Sequence, residues 1–496
     1  MANRRFAQRG HAGLPGDLME PGNGGMRWRT PRGRALAGLL ALLVLALLGT
    51  LALGRLPHIP QHPTDGNAYT LARPPALIDS ALARMDDLAR GLAGNSRSGL
   101  TSAPLTPERL QQIQPLMGDA EARLIGIYQL IGQGQHRQAL QRAEVLVRDH
   151  PNFQLAQLLY GDLLSLQARP VRLLGDVPDT TAQAGAQQLD TLREESRRRL
   201  RALTERPPEG AIPTQFLTLS NQNRHAIAID AARSRLYLFE NLNARPQADA
   251  GADAQPKLKL LGDYYISVGL QGIEKVAEGD KRTPTGVYFI TSTLNPANLP
   301  DLYGVGALPI NYPNPLDVQR GKTGSGIWLH GTPSEQFARA PQASDGCVVL
   351  SNPDLERVLA TVRIRTTPVV IAPELQWVQP DALADERQQF NEVLEAWRLA
   401  RSTGDADRLK GFYSERFMNQ GRDLAQWWPR VETELRSNGG RELQLKDLSV
   451  LRWRDQEDTM VVTFGEVPAG YSRGVTKRQY WTRERDRWTI FFEGSI

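Results

Sequence analysis

The sequence predicts a multidomain protein with four parts: an N-terminal transmembrane helix, an α-helical region, a mostly β domain and a C-terminal α+β domain. Three observations predict this order. Residues 35–54 contain no charged side chain, which is typical of a membrane-spanning helix. Hydrophobic residues then recur at helical spacing up to about residue 206 and at strand spacing from about residue 216. From residue 385 a helical pattern returns and is followed by several strand-like runs, as in α+β domains.

The N-terminal residues 1–34 form a basic segment that we predict to be disordered. Seven arginines and only two acidic residues lie there among many glycines and prolines. Four of these arginines lie shortly before the apolar run, so the positive-inside rule places the N-terminus in the cytoplasm. We interpret 35–54 as a signal anchor; a cleaved signal peptide is the alternative. The expected location is therefore the cytoplasmic membrane, crossed once, with the remaining chain in the periplasm.

Residues 55–74 carry several prolines and histidines and predict a linker. From 75 to 206, apolar spacing predicts helices separated by turns. A glycine pair and a proline break within this region loosely resemble tetratricopeptide repeats, and an ordinary helical hairpin domain is the alternative. In the helix predicted for 187–201, two glutamates precede three arginines, a pattern that indicates a solvated face.

Residues 216–373 predict the mostly β domain. The runs 226–230 and 235–239 are strand-like and separated by a short turn, which is a hairpin pattern. Further strand-like runs at 264–269 and 286–293 follow a loop rich in alanine, aspartate and glycine. Many short strands bounded by turns are typical of a β-rich domain.

The candidate chemistry lies in the second half of this domain. Cys347 is the only cysteine of the chain, and His330 is the only histidine in its C-terminal half. A thiol attacks as the thiolate, so it needs a base to remove its proton. A histidine that the fold brings near a cysteine therefore predicts a nucleophile and its base. A lone cysteine is otherwise often a small buried hydrophobic residue. Gly346 favours the catalytic interpretation, since it lets backbone N–H groups approach a substrate carbonyl.

The motifs around these two residues resemble the YkuD-type L,D-transpeptidases. His330-Gly331-Thr332 and the spacing Ser344-x-Gly346-Cys347 are similar to the family signature. The stretch 279–286 resembles another family motif, and 303–315 resembles the subgroup that contains cell-shape L,D-carboxypeptidases and murein-modifying relatives. Two positions depart from the family pattern. Val349 stands where many members carry a basic residue, and Asp345 replaces a commoner histidine.

The resemblance implies a β-sandwich-like fold and a reaction on peptidoglycan stem peptides. His330 would take the proton of Cys347, and the thiolate would attack the amide after the L-centre of meso-diaminopimelate and release D-alanine. An amine acceptor would make the enzyme a transpeptidase, and water would make it an L,D-carboxypeptidase. The carbonyl of Gly331 or Ser344 is expected to orient the imidazole. The backbone N–H groups of Cys347 and Gly346 are the candidate oxyanion donors.

Several neighbouring residues have two interpretations. Trp328, Tyr312 and Thr332 are candidate substrate contacts, and structural packing is the alternative for the two aromatic residues. Asn352 is expected to cap a helix that begins at Pro353.

Two other classes of protein compete with this assignment. One is a non-catalytic cell-wall scaffold with a vestigial cysteine, which intact His330 and Cys347 argue against. The other is a papain-like protease, in which the cysteine precedes the histidine by a long stretch; here the histidine comes first.

Residues 385–496 resemble nuclear-transport-factor-2-like domains, whose concave cone can bind ligands or mediate dimers. The helical region and this domain are therefore candidate sites for protein partners. Tryptophans in this domain either line the cone or form its core. They are Trp427, Trp428, Trp453, Trp481 and Trp488.

Composition restricts the remaining possibilities. The net charge of +5 is small for 496 residues and is not gathered in one long run, so nucleic acid is not an expected partner. No paired Cys/His spacing predicts a metal site, and no glycine-rich phosphate loop follows a strand, so neither a metal nor a cofactor is expected. A single cysteine excludes an intramolecular disulfide.

Overall fold

The computed structural model describes residues 100–102, 106–176, 179–244 and 255–496. The predicted basic segment, the predicted signal anchor 35–54 and the linker lie outside the described residues. Within the described ranges, no helix combines the length and the apolar character that a membrane crossing requires.

The predicted helical region is confirmed in the described part of the chain. Thr106 begins its first helix by accepting the Arg109 N–H at 3.3 Å, and Pro107 occupies the first turn. Apolar side chains of the next three helices share one core around Leu124 and Leu146. The helices are α1 (Pro107–Ile113), α2 (Asp119–Gly132), α3 (His136–Asp149), α4 (Gln154–Ser165) and α5 (Asp179–Thr204). The two-residue strands β1 (Thr101–Ser102) and β2 (Glu205–Arg206) pair with each other.

Helix α5 corrects the expectation of a purely solvated charged face. Glu195 and Arg199 are buried and lie 2.8 Å apart, and Arg199 also contacts Glu121 of α2 at 3.2 Å. Arg235 of the β domain binds the same Glu121 at 2.8 Å and Asp263 at 2.6 Å. The charges of α5 thus belong partly to a buried ion-pair network that connects the helical region to the sheet. Removing one partner of such a network leaves an uncompensated buried charge.

The β domain is a nine-stranded mixed sheet with the order β8-β13-β5-β6-β7-β12-β10-β9, with β11 paired to β7. Strand β5 is buried on both faces, because Ile227 and Ile229 enter one core while Ala226 and Ala228 enter another. The strands are β5 (His225–Asp230), β6 (Arg235–Asn241), β7 (Leu258–Gly269), β8 (Gly286–Phe289), β9 (Ala307–Pro309), β10 (Trp328–His330), β11 (Gln342–Ser344), β12 (Val348–Leu350) and β13 (Pro368–Ala372). The helices are α6 (Pro315–Gln319) and α7 (Asn352–Thr361).

The C-terminal domain packs three helices on an antiparallel sheet. Gly404, in the left-handed conformation at φ 73°, ends the first of these helices, as the sequence Thr-Gly-Asp predicts. The helices are α8 (Ala384–Thr403), α9 (Ala406–Lys410) and α10 (Leu424–Asn438). The strands of the domain are β15 (Met418–Asn419), β16 (Arg422–Asp423), β17 (Leu443–Arg454), β18 (Asp458–Pro468), β19 (Val475–Glu484) and β20 (Arg487–Ser495).

One short strand lies in a different sheet from the expected one. The segment β4 (Phe216–Thr218), predicted to open the β domain, pairs with β17 at the edge of the C-terminal sheet. Close by, β3 (Ile212–Pro213) pairs with β14 (Trp377–Val378). Phe216 and Trp377 share a core with Trp453 of the C-terminal sheet, so the two domains bury a common apolar interface.

The tryptophans of the C-terminal domain mainly form its core. Trp427, Trp428 and Trp481 are buried among the helices and the sheet, and Trp488 packs against them. Trp453 faces the β domain instead. Packing accounts for their positions, in keeping with the general role of buried aromatic side chains.

Candidate active site

Parallel pairing of β10 with β12 brings the predicted catalytic pair together. His330 ends β10 and is in register with Val349, and Cys347 lies two residues before Val349, directly ahead of β12. Cys347 is itself a bend residue just outside the strand. The pairing of the two strands therefore brings the thiol and the imidazole to the same region of the sheet.

The backbone fixes the orientation of the His330 ring. Its Nδ1 lies 2.7 Å from the Gly331 carbonyl oxygen. A carbonyl only accepts hydrogen bonds, so Nδ1 carries the proton and Nε2 keeps a free lone pair. The edge-on ring of Tyr303, with centroids 5.0 Å apart, supports the imidazole from the side. Burial lowers the pKa of His330 to about 4, so the imidazole is neutral at pH 7.

The Cys347 thiol is also neutral at rest. Burial raises its pKa, while a hydrogen bond with the Trp328 backbone and the positive charge of Arg339 oppose that increase. Its Sγ donates a hydrogen bond to the Gly326 carbonyl at 3.5 Å. A neutral thiol and a neutral imidazole are suited to proton transfer during attack, with His330 as the candidate general base.

Ser344 holds the turn that carries the cysteine. Its Oγ accepts the Gly346 N–H at 3.1 Å and donates to the Cys347 carbonyl at 2.6 Å. Gly346 has φ 124°, and a Cβ there would lie 2.8 Å from the Arg282 carbonyl, so the position requires glycine. The Gly346 N–H is therefore engaged within the turn. This corrects the expected use of the Gly346 N–H as a free oxyanion donor. Ser344 and Gly346 keep only an orienting role.

The motif at 279–286 builds the loop beneath this turn. The Asp280 carboxylate accepts the backbone N–H groups of Val276 and Ala277 at 2.8 and 3.0 Å. It also binds Lys275 Nζ at 2.8 Å. Thr283 Oγ1 accepts the Gly269 N–H at 2.8 Å. These bonds hold the Arg282 backbone against the turn that carries Cys347.

This architecture agrees with family comparisons. Residues 224–371 match the family model of the YkuD L,D-transpeptidase catalytic domain. The chain carries a YkuD-family domain. Residues 389–494 match the model of the Cds6 C-terminal NTF2-like domain. Both resemblances predicted from the motifs are thereby confirmed. No curated protein matches the chain.

Solved structures are similar to part of the chain. The structure of Bd1075 from Bdellovibrio bacteriovorus covers 58% of this chain and 98% of its own, with 23% identity and a TM-score of 0.47. The helical cell shape determining protein Pgp2 from Campylobacter jejuni covers 57% of this chain and 96% of its own, with 21% identity and a TM-score of 0.44. An L,D-transpeptidase from Mycobacterium smegmatis covers 30% and 58%, with 14% identity and a TM-score of 0.18.

Two of the candidate substrate contacts of the YkuD domain are buried. Thr332 donates its hydroxyl to the Phe337 carbonyl at 3.4 Å, and Tyr312 donates its own to the Thr323 carbonyl at 3.0 Å. Both therefore hold the domain together rather than face a substrate. Trp328 is half-buried against Tyr303, with ring centroids 4.7 Å apart, and stays a candidate wall of the cleft.

Asn352 has a different role from the expected helix cap. Ser351 caps α7 by accepting the Asp354 N–H at 3.3 Å. The Asn352 amide oxygen instead accepts the N–H groups of Thr332 and Val305, each at 3.2 Å, and its NH₂ donates to the Thr332 carbonyl at 2.9 Å. It thus ties the loop after His330 to the loop after Tyr303.

The segment between β10 and β11, residues 331–341, is held by the helical region, which the sequence did not indicate. Phe337 enters the helical core and stacks on Phe153, with ring centroids 4.3 Å apart. Its backbone N–H donates to the Asn152 carbonyl at 3.1 Å, and the Asn152 side chain donates to the Ser334 carbonyl at 3.0 Å. The sequence offers one sign of this contact: Phe337 is the one aromatic residue between Thr332 and Cys347.

Phe337→Ala should destabilise the protein and slow acylation of the cysteine. Truncating a buried phenylalanine costs roughly 3–5 kcal/mol of unfolding free energy. The loosened segment should also lower the acylation rate by about tenfold, because catalytic geometry tolerates little displacement. Denaturant unfolding and single-turnover kinetics measure the two effects. Leu164→Ala on α4, at a side chain 43% exposed, is the matched control. Wild-type stability and rate in Phe337→Ala would show that the insertion does not support the site.

Proposed function

We propose that this chain is a peptidoglycan L,D-transpeptidase that uses Cys347 as nucleophile and His330 as general base. One observation carries the proposal. Within the YkuD-family domain, Cys347 directly precedes β12, which pairs in parallel with β10, the strand that ends at His330. The Gly331 carbonyl binds Nδ1 of His330, so Nε2 can accept a proton.

The proposed reaction has two steps. His330 Nε2 takes the thiol proton as Sγ attacks the amide carbonyl at the L-centre of meso-diaminopimelate in a tetrapeptide stem. The tetrahedral intermediate collapses, the C–N bond breaks, and the D-alanine amine leaves with the proton from His330. A thioester remains on Cys347. An amine of another stem then attacks the thioester and forms a cross-link, and hydrolysis by water is the L,D-carboxypeptidase alternative.

Incubation of the detergent-solubilised full chain with disaccharide-tetrapeptide, read by mass spectrometry, tests the proposal. A cross-linked dimer together with free D-alanine is the result expected of a transpeptidase. Disaccharide-tripeptide with D-alanine and no dimer would assign the carboxypeptidase reaction. Unchanged substrate, with protein shown to be folded and its thiol reduced, would favour the non-catalytic scaffold.

We further propose that 35–54 anchors the protein in the cytoplasmic membrane with the YkuD domain in the periplasm, where stem peptides are available. The uncharged twenty-residue run and the arginines before it support this. The intact mass of protein extracted from membranes should correspond to a chain that retains the anchor. A mature N-terminus near Arg55 would show that a signal peptidase removes it.

A further inference from the structure

Arg339 is a half-buried cation within the active-site segment that nothing in the proposed mechanism uses. It lies two residues after Phe337, whose ring is fixed in the helical core. Its carbonyl accepts the Tyr265 hydroxyl at 2.9 Å, and its Nη1 donates to the Ala343 carbonyl at 3.5 Å. Its Nε is buried and has no hydrogen-bond partner. The backbone of Arg339 is thus held in place, while its Nη2 makes no hydrogen bond to the described residues.

Arg339 has no ion-pair partner among the residues that the structure describes. The negative charge of Asp345 acts on it only from beyond ion-pair distance. Lys275, the other cation that acts on the thiol, differs because Asp280 binds its Nζ at 2.8 Å. Asp345 is exposed and lies 3.6 Å from Lys281. A partly desolvated cation without a counter-ion is costly, so its presence indicates an anionic ligand.

Arg339 also acts electrostatically on both members of the catalytic pair. After the larger effect of burial, its positive charge contributes to the lowered pKa of His330, and it opposes the raised pKa of Cys347. The guanidinium therefore lies near enough to the thiol and the imidazole for its charge to act on both. Val349, two residues after the cysteine, supplies no charge there.

We propose that Arg339 binds a carboxylate of the donor stem peptide while Cys347 attacks it. The proposal rests on the proposed function and identifies how that site would recognise its substrate. A planar guanidinium with free N–H donors matches a carboxylate in a bidentate manner. Two carboxylates of a tetrapeptide lie near the scissile bond: the C-terminal group of the leaving D-alanine and the side-chain group of meso-diaminopimelate.

Arg339→Gln and two amidated substrates test this binding. For the unmodified tetrapeptide, the variant should lose about 10- to 100-fold in kcat/KM, mainly through a higher KM, as expected for a charge-assisted hydrogen bond. Amidation of the contacted carboxylate should lower wild-type kcat/KM by a similar factor and leave the variant unaffected. A tetrapeptide amidated at D-alanine and one amidated at the diaminopimelate side chain show which carboxylate it is. Arg473→Gln, at an exposed arginine of the C-terminal domain, controls for the lost charge.

Thiol alkylation by neutral iodoacetamide separates substrate binding from an effect on the cysteine. Alkylation of Arg339→Gln should slow by no more than about threefold, because the Arg339 charge offsets only part of the raised pKa of Cys347 and the probe has no carboxylate to bind. A tenfold slower alkylation that accounts for the whole kinetic loss would overturn the proposal in favour of thiolate stabilisation. Unchanged kcat/KM for all three substrates in the variant would also overturn it.

Carboxylate binding by Arg339 can be tested even if the protein does not turn over the tetrapeptide. In that case tetrapeptide binding to Cys347→Ala and to Cys347→Ala/Arg339→Gln can be compared by calorimetry. Tenfold or greater weakening in the double variant supports the carboxylate site even without turnover. Equal affinities, or the absence of binding by either protein, count against it.

Discussion

Cys347→Ala should abolish muropeptide turnover and leave the fold intact. The substitution removes Sγ and with it the only group that can form the thioester. The turn should survive, because Ser344 bonds to the backbone of Gly346 and Cys347 rather than to the thiol. The side-chain bonds lost are the weak contact with the Gly326 carbonyl and the hydrogen bond with the Trp328 backbone. Turnover by mass spectrometry and the thermal midpoint measure the two expectations, and wild-type turnover in the variant would remove Cys347 from the mechanism.

Acylation by a carbapenem provides a readout that does not depend on the acceptor. A strained lactam carbonyl resembles the scissile amide and needs only an activated thiol and an open cleft. Because the chain has one cysteine, a thiol adduct must lie on Cys347. We expect one stoichiometric mass increase with imipenem or meropenem, absent in Cys347→Ala. Absence of the adduct in folded, reduced wild-type protein would favour the scaffold.

Local sequence was sufficient to predict most of the helices and strands and to select His330 and Cys347 as the candidate catalytic pair. Periodicity located the helices and the strands, and the motifs around His330 and Cys347 placed these residues in one family. Local sequence did not determine which of two equally suitable residues makes a given hydrogen bond. Both the Gly331 and the Ser344 carbonyl were candidates for the imidazole, and only the fold selects Gly331. Ser351 and Asn352 are both good caps, and Asn352 is drawn away by loops that are distant in sequence.

The features that sequence missed depend on contacts between distant segments. Phe337 looks like a loop residue until the helical region provides Phe153. The sequence suggests that Glu195 and Arg199 are solvated, but Glu121, which also binds Arg235, forms an ion pair with Arg199. The short strand β4 carries no signal of which sheet it joins, because three extended residues suit either edge. Long-range packing, rather than local propensity, decides each of these cases.

His330→Ala should lower the rate of acylation by roughly two to four orders of magnitude, which is the usual contribution of a general base. The raised pKa of Cys347 makes the base necessary, since burial keeps the thiol protonated at pH 7. Single-turnover acylation by a carbapenem measures the effect without the second step. The Leu164→Ala variant should acylate at the wild-type rate. An unchanged rate in His330→Ala would assign the proton transfer to another group.

The pH profile shows whether His330 is the base. In wild type, the neutral imidazole accepts the proton, so the acylation rate should fall as pH drops through about 4, the lowered pKa of His330. A midpoint near the ordinary value of 6.5 would mean that burial does not depress this pKa in solution. In His330→Ala the limb near pH 4 should vanish, and the rate should rise tenfold per pH unit through neutrality, because attack then depends on the small fraction of thiolate. Retention of the limb in the variant would contradict the assignment of His330 as the base.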